Sequence, residues 1–512
     1  MFVTKTVPNL ICFLKILQTI DNQYVGKFSK LVFTIPKCGK VWNLATTIHN
    51  PRILHCKFTN NFDTYNNIFL FLHKIFIVNR SILKLAIPNI ISNITIPLLG
   101  LVDMILMGHL SSPVYIGAIA LGGTIFSVLY SFFSFLRAGT TGFTAQNYGA
   151  KDLQEVSYSL YRSITIAILA FLLILCVQQP IAKLSLMLLD GSDDVKRLAI
   201  TYFFVRIWAA PANMLLYCLN GWFIGMQNTK IPMAIAIIIN VLNIVFSILF
   251  VVVLQRDVAG VALGTVIAQY CGLATALVFI FIKYKKYLIK IDINILLDIN
   301  KLKRFFKVNT DLMIRSILLV LTIAFFTNQS ARLGDNILGI NMILLQFFYI
   351  FSYFTDGFAY AGEALVGKFI GARDSASLRS IVMHLFKWGA IICVPFAILY
   401  ALFPTPFVKM ISDHPVIISQ IQPYYIYMAL IPVITVAAFL WDGIYIGATA
   451  SKAIRNTMII SSILIFLPMW YFLMPLWGNH GLWISFLGFM LARGISMTFF
   501  AKKNILQLPN NQ

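Results

Sequence analysis

Asp103 sits near the end of an apolar run, Ile82 to Met107, that is otherwise long enough to cross a bilayer. A carboxylate at such a depth costs at least ~2.5–3.5 kcal/mol on insertion scales, so a chain that keeps one has a use for it, such as carrying a proton or holding a cation. Pro88 and Pro97 fall in the same run. Each removes an intrahelical hydrogen bond and invites a kink, so Asp103 is predicted to ride on a bent helix that can move. Asn240 and Asn243 lie three apart, hence on one helical face, and offer carbonyl oxygens and amides to a site. The same residue types also join helices as ordinary hydrogen-bonding glue. Asp356 and Glu363 lie seven apart and face the same way on another apolar run, with Arg315 available as a partner. That group reads either as a structural ion pair or as a second proton site.

The elements that position these residues follow from composition. With 59% hydrophobic residues, 11% charged residues and a mean hydropathy of +0.83, a 512-residue chain cannot hide its apolar surface in a soluble core, and lipid must be its solvent. Windows of ~20 apolar residues give twelve candidate helices: 82–107, 116–146, 158–178, 198–224, 231–254, 259–282, 311–331, 336–366, 380–403, 417–446, 457–475 and 479–499. The net charge of +22 does not point to nucleic acid, because the basic residues flank spans rather than forming one basic face. Lys283, Lys285, Lys286, Lys290, Lys301, Lys303, Arg304 and Lys307 crowd the segment between spans six and seven, whereas the opposite side has only Lys183, Lys196, Arg197, Arg256, Arg332 and Lys409. By the positive-inside rule, the central loop and both termini are cytoplasmic. The seven cysteines show no metal-ligand or redox spacing, and Cys176, Cys218, Cys271 and Cys393 read as small packing residues.

Two motif pairs recur at a constant offset of 222 residues. Gly149, Ala150, Lys151 and Asp152 return as Gly371, Ala372, Arg373 and Asp374; Gly221, Ile224, Gly225 and Lys230 return as Gly443, Ile446, Gly447 and Lys452. Six spans per half is an even number, so both halves start on one side of the membrane. The result is a parallel repeat with a pseudo-twofold axis along the membrane normal and a cavity between the lobes. The expected organisation is a basic, unstructured N-terminal extension (1–78), an N-terminal lobe (79–283), a cytoplasmic tether (284–310), a C-terminal lobe (311–503) and a tail (504–512). Gly149, Gly225, Gly371 and Gly447 read as left-handed helix caps. Arg137 has no charged counterpart in the other half and reads as structural, snorkelling or pairing within its own lobe.

Four segments, Leu99 to Leu110, Phe135 to Asp152, Gly221 to Pro232 and Asp356 to Asp374, resemble the multidrug and toxic compound extrusion (MATE) family, and within it the DinF-like subfamily. The resemblance runs in register from about Ile82 to Lys503. It implies an all-α membrane protein with the fold of the MOP superfamily: twelve transmembrane helices in two pseudo-twofold-related six-helix lobes. It further implies a monomeric antiporter of the bacterial inner membrane that exports cationic or amphipathic organic compounds as H+, or less readily Na+, flows in, with no other cofactor. The family's coupling carboxylate on the first helix matches Asp103, its asparagine on the fifth matches Asn243 and its threonine on the sixth matches Thr265. Four residues after that asparagine the family commonly has a second aspartate, but here stands Ser247, which favours a proton over a sodium ion. A carboxylate that another branch uses on the tenth helix matches Asp442. That branch pairs it with a glutamate on helix seven, where this chain has Arg315 and Asn328, and this argues against sodium in the C-terminal lobe.

Two other functions fit less well. A flippase of lipid-linked sugars shares the superfamily fold but lines its cavity with several basic residues for pyrophosphate, and only Arg137 and Arg315 are available here. An intramembrane transferase needs a buried nucleophile and base, yet of the seven histidines only His384 lies well inside a predicted span, His480 standing at the edge of another. Aromatic residues at 14% of the chain and 17 methionines suit an adaptable apolar cavity with cation–π faces, without marking any one ring.

Overall fold

The computed structural model describes residues 76–95, 114–188 and 192–506, together with the backbone of two short strands. Met1–His73 forms a unit of its own, in which β1 (Val32–Phe33) pairs antiparallel with β2 (Trp42–Asn43). The rest of the expected unstructured extension, like Pro97, Asp103 and the last residues of the tail, lies outside the described residues.

The second unit, Lys74–Gln512, is helical throughout the described residues. Its helices are α1 (76–95), α2 (Val114–Gly149), α3 (Leu153–Cys176), α4 (Asp193–Gly225), α5 (Lys230–Val253), α6 (Asp257–Lys283), α7 (Ile299–Arg332), α8 (Asp335–Gly371), α9 (Ser375–Leu402), α10 (Gln422–Gly447), α11 (Ser451–Trp477) and α12 (Asn479–Ile505). Among the described residues, the eleven from α2 to α12 are each long and apolar enough to cross a membrane. Each matches one apolar window of the sequence. α1 runs on through Pro88 without interruption, and its apolar sequence continues past residue 95.

The 222-residue repeat is legible in the backbone. Lys151 and Arg373 take positive φ (59° and 55°), as do Gln227 and Thr449 (62° and 51°). Asp152 and Asp374 then cap the following helices, accepting hydrogen bonds from the amides of Glu155 and Ser377 at 2.9 Å each. The left-handed positions are therefore not the four glycines, as the sequence suggested, but the residues two further on.

The glycines serve close approach instead. A Cβ on Gly149 would stand 1.9 Å from the carbonyl oxygen of Lys368, and one on Gly371 would stand 1.8 Å from that of Gln146. α2 and α8 thus cross backbone to backbone, tying the two lobes together on the face that carries the Lys-rich linker. Gln146 donates across this junction to the Gly447 carbonyl (3.0 Å), and Gln227 donates to that of Ala364 (2.7 Å). Gly371→Ala is expected to force the crossing apart. Spin labels on cysteines at positions 151 and 373 should then report a longer distance by double electron–electron resonance, and an unchanged distance would contradict this account of the glycine.

The first helix of each half also reaches the other half. Asn93 of α1 donates to the Tyr353 carbonyl of α8 at 3.2 Å, and Gly139 of α2 packs against the Asn309 side chain of α7. The expected tether is more ordered than its composition suggested. α7 begins at Ile299, and the preceding segment docks on α3: Ser157 donates to the Tyr287 carbonyl, Tyr161 to that of Ile289 (2.8 Å) and Arg162 to that of Ile295 (3.0 Å). Glu155 ties the start of α7 down by pairing with Lys301 at 2.6 Å and with Arg162 at 2.9 Å.

Candidate functional site

A cavity of about 480 Å³ lies between the lobes. Asn89 and Asn93 of α1, Ser134 and Arg137 of α2, and Tyr217 and Asn220 of α4 form one wall; Arg315 of α7, Asp356, Tyr360 and Glu363 of α8, and Asp442 of α10 form the other. The approach of α4 to α2, and of α10 to α8, again depends on small residues. A Cβ on Gly221 would meet the Arg137 carbonyl oxygen at 2.4 Å, and one on Gly443 would meet that of Ala359 at 2.1 Å. These contacts bring residues one helical turn away to the cavity surface.

Arg137 binds Glu363 through two parallel hydrogen bonds, Nη1 to Oε2 at 2.9 Å and Nη2 to Oε1 at 3.2 Å, and its guanidinium lies 4.0 Å above the Tyr360 ring. The pair spans the two lobes, so Arg137 neither snorkels nor pairs within its own half. Asp442 Oδ2 receives both Arg315 and Arg493 of α12, the latter at 2.6 Å. Arg315 is therefore not the partner of Asp356 and Glu363 anticipated from spacing. Asp356 shares the cavity with Glu363, as their separation predicted, but among the described residues it makes no hydrogen bond or ion pair.

The repeat shows how asymmetric this charge is. At the 222-residue offset Arg315 corresponds to Asn93, Asp356 to Ser134, Glu363 to Thr141 and Asp442 to Asn220. The C-terminal lobe lines the cavity with Arg315, Asp356, Glu363 and Asp442, whereas the N-terminal lobe lines it with neutral polar groups and one ion, Arg137.

The N-terminal lobe holds a second cluster away from this wall. Asn243 Nδ2 donates to Thr265 Oγ1 at 2.8 Å, Thr265 donates to the Val261 carbonyl at 3.1 Å, and Ser247 donates to Asn243 Oδ1 at 3.4 Å. All three side chains are buried. Asn240 goes elsewhere and donates to the Thr95 carbonyl at the described end of α1, at 3.2 Å. Three of the anticipated coupling residues are thus together, and Asp103 lies eight residues beyond Thr95 in sequence.

Sequence reasoning missed Arg493, fully buried in the last span, although the criterion that singled out Asp103 would have found it. It also passed over Asn93, Asn220 and Tyr360, whose residue types are too common in spans to stand out without the cavity. His384 is engaged within its own helix, its Nδ1–H donating to the Ser380 carbonyl oxygen at 2.7 Å.

The profile of the family described as MatE matches residues 88–249 and again 312–472, one match in each half. The chain is 35% identical over 419 residues to the DNA damage-inducible protein F of Escherichia coli (strain K12), covering 82% of this chain and 91% of that protein. It is 22% identical over 434 residues to the multidrug resistance protein NorM of Aliivibrio fischeri, covering 81% and 93%. A MOP superfamily transporter from Pyrococcus furiosus shares the fold with a TM-score of 0.77 at 18% identity, covering 85% of this chain and 97% of that one.

Proposed function

Because the chain belongs to the MATE family and is a multi-pass membrane transporter of the multidrug type, we propose that it exports cationic or amphipathic organic compounds in exchange for protons, by alternating access. The observation that carries this reading is the charged, aromatic-lined cavity between two repeated lobes that cross backbone to backbone at Gly149 and Gly371, on the face that carries the Lys-rich linker. By the distribution of basic residues that face is cytoplasmic, as are both termini, in the bacterial inner membrane. One copy of the chain supplies both walls of the cavity, in keeping with a monomer.

Protons are favoured over sodium for two reasons. In the N-terminal lobe, Ser247 stands where a second carboxylate would help to hold a metal ion, and its hydroxyl occupies the Asn243 carbonyl oxygen. In the C-terminal lobe, two guanidiniums already neutralise Asp442, so a cation there would meet two like charges. The same pairing weakens the lipid-linked-sugar alternative, since a pyrophosphate would have to displace Glu363 from Arg137 and Asp442 from Arg315.

The test is efflux of a fluorescent organic cation from proteoliposomes under an imposed proton gradient and, separately, a sodium gradient. The reading predicts transport with the first and none with the second. Transport with neither gradient, accompanied by movement of a lipid-linked sugar, would replace it.

A further inference from the structure

Three carboxylates line the central cavity, and two of them are committed: Glu363 to Arg137, and Asp442 to Arg315 and Arg493. Asp356 is not, although Arg315 and Arg137 lie close enough to act on it electrostatically. Building on the export reading, we propose that Asp356 receives the charged centre of the exported compound, an aromatic monocation, on the C-terminal wall of the cavity and apart from the coupling carboxylate Asp103.

Four observations support this assignment. First, Arg137 is hydrogen-bonded to Glu363 and Arg315 to Asp442, which leaves the Asp356 carboxylate on the cavity wall without a hydrogen-bonded partner and open to a ligand. Second, the corresponding residue on the opposite wall is Ser134, so the cavity offers one uncommitted charge and suits one cationic centre. Third, Tyr217, Phe135 and Phe439 line the same cavity and can face a flat or propeller-shaped aromatic body, whereas the Tyr360 ring is already taken by Arg137. Fourth, about 480 Å³ lies within the ~300–1,000 Å³ of sites that enclose a drug-sized ligand. An alternative role for Asp356 is to balance the surplus positive charge of the Arg315–Asp442–Arg493 group. That role would lower the thermal stability of Asp356→Asn as well as its affinity for a cation, whereas a ligand contact alone leaves stability unchanged.

Equilibrium binding of radiolabelled tetraphenylphosphonium to the purified full-length protein in detergent, with thermal unfolding of the same samples, separates the two. Asp356→Asn should weaken binding roughly tenfold or more, the loss expected of a charge-assisted contact. Asp356→Glu should stay within a few-fold of the native protein. If the asparagine variant does not stay monodisperse, Asp356→Ser, which copies the opposite wall, gives the same readout. Native affinity in the asparagine or serine variant would overturn the proposal. That outcome would leave the export reading intact. A native protein that neither binds nor moves any organic cation would remove the export reading and the proposal together.

Discussion

Arg137→Met is expected to destabilise the protein by about 3–5 kcal/mol, because it strands the Glu363 carboxylate in a buried site with no counter-charge. Glu363 is 1% exposed and Arg137 18%, so solvent does little to screen either charge. Glu363→Met should cost a similar amount by stranding the guanidinium. The double variant, with methionine at both positions, should recover most of the loss, since removing a buried pair leaves no charge behind and methionine fills the space flexibly. Thermal unfolding of all four proteins in one detergent is the measurement. A double variant as unstable as the worse single one would show that these side chains contribute packing rather than a pair. The comparison also bears on transport, because the two residues belong to opposite lobes. Any motion that separates the lobes on this side has to part them, and the low cost of that step depends on water reaching the cavity to solvate both charges.

The pairing itself was not legible in the sequence. Residue types and spacing placed Asp356 and Glu363 on one face of α8, which the structure bears out, because helical periodicity is local information. Which arginine meets which acid depends on how α2, α7, α8, α10 and α12 cross, and no spacing encodes that. Arg137 is the clearest case. Its lack of a charged counterpart in the other half was visible, but its partner was hidden because Thr141, not an acid, occupies the position equivalent to Glu363. The eleven spans from α2 to α12, by contrast, were legible, since lipid enforces a long apolar run on every crossing helix, although α7 begins at Ile299, twelve residues before its apolar window. The repeat was legible too, but its glycines were misread. A glycine at a helix end suggests a left-handed cap, and only the opposing backbone, 1.8–1.9 Å from a would-be Cβ, reveals that Gly149 and Gly371 are there for contact. How the linker docks was hidden for a related reason. Its lysines signalled exposure, while the groups that hold it are backbone carbonyls and amides meeting tyrosine, serine and arginine side chains of α3, and composition says nothing about those.

Asp103→Asn is expected to abolish proton-driven efflux, reducing it to the level of protein-free vesicles, while leaving folding intact. Asparagine matches the carboxyl in shape and can hydrogen-bond, but it cannot gain or lose a proton at any working pH. The neighbouring cluster would survive the change: Asn243, Thr265 and Ser247 bond to one another and to the Val261 carbonyl. Asn240 would still hold the Thr95 carbonyl at the end of α1. These bonds position the fifth and sixth helices without a charge, so they do not depend on a carboxylate at position 103. A binding assay then discriminates further. If Asp103 carries the proton and Asp356 the substrate, the asparagine variant at 103 binds tetraphenylphosphonium normally yet fails to move it, and the variant at 356 fails at both. Efflux at the native rate from Asp103→Asn would mean that the proton travels by another carboxylate. Of the acids on the cavity wall, Asp356 is the one not already held by arginine, so it would be the residue to examine next.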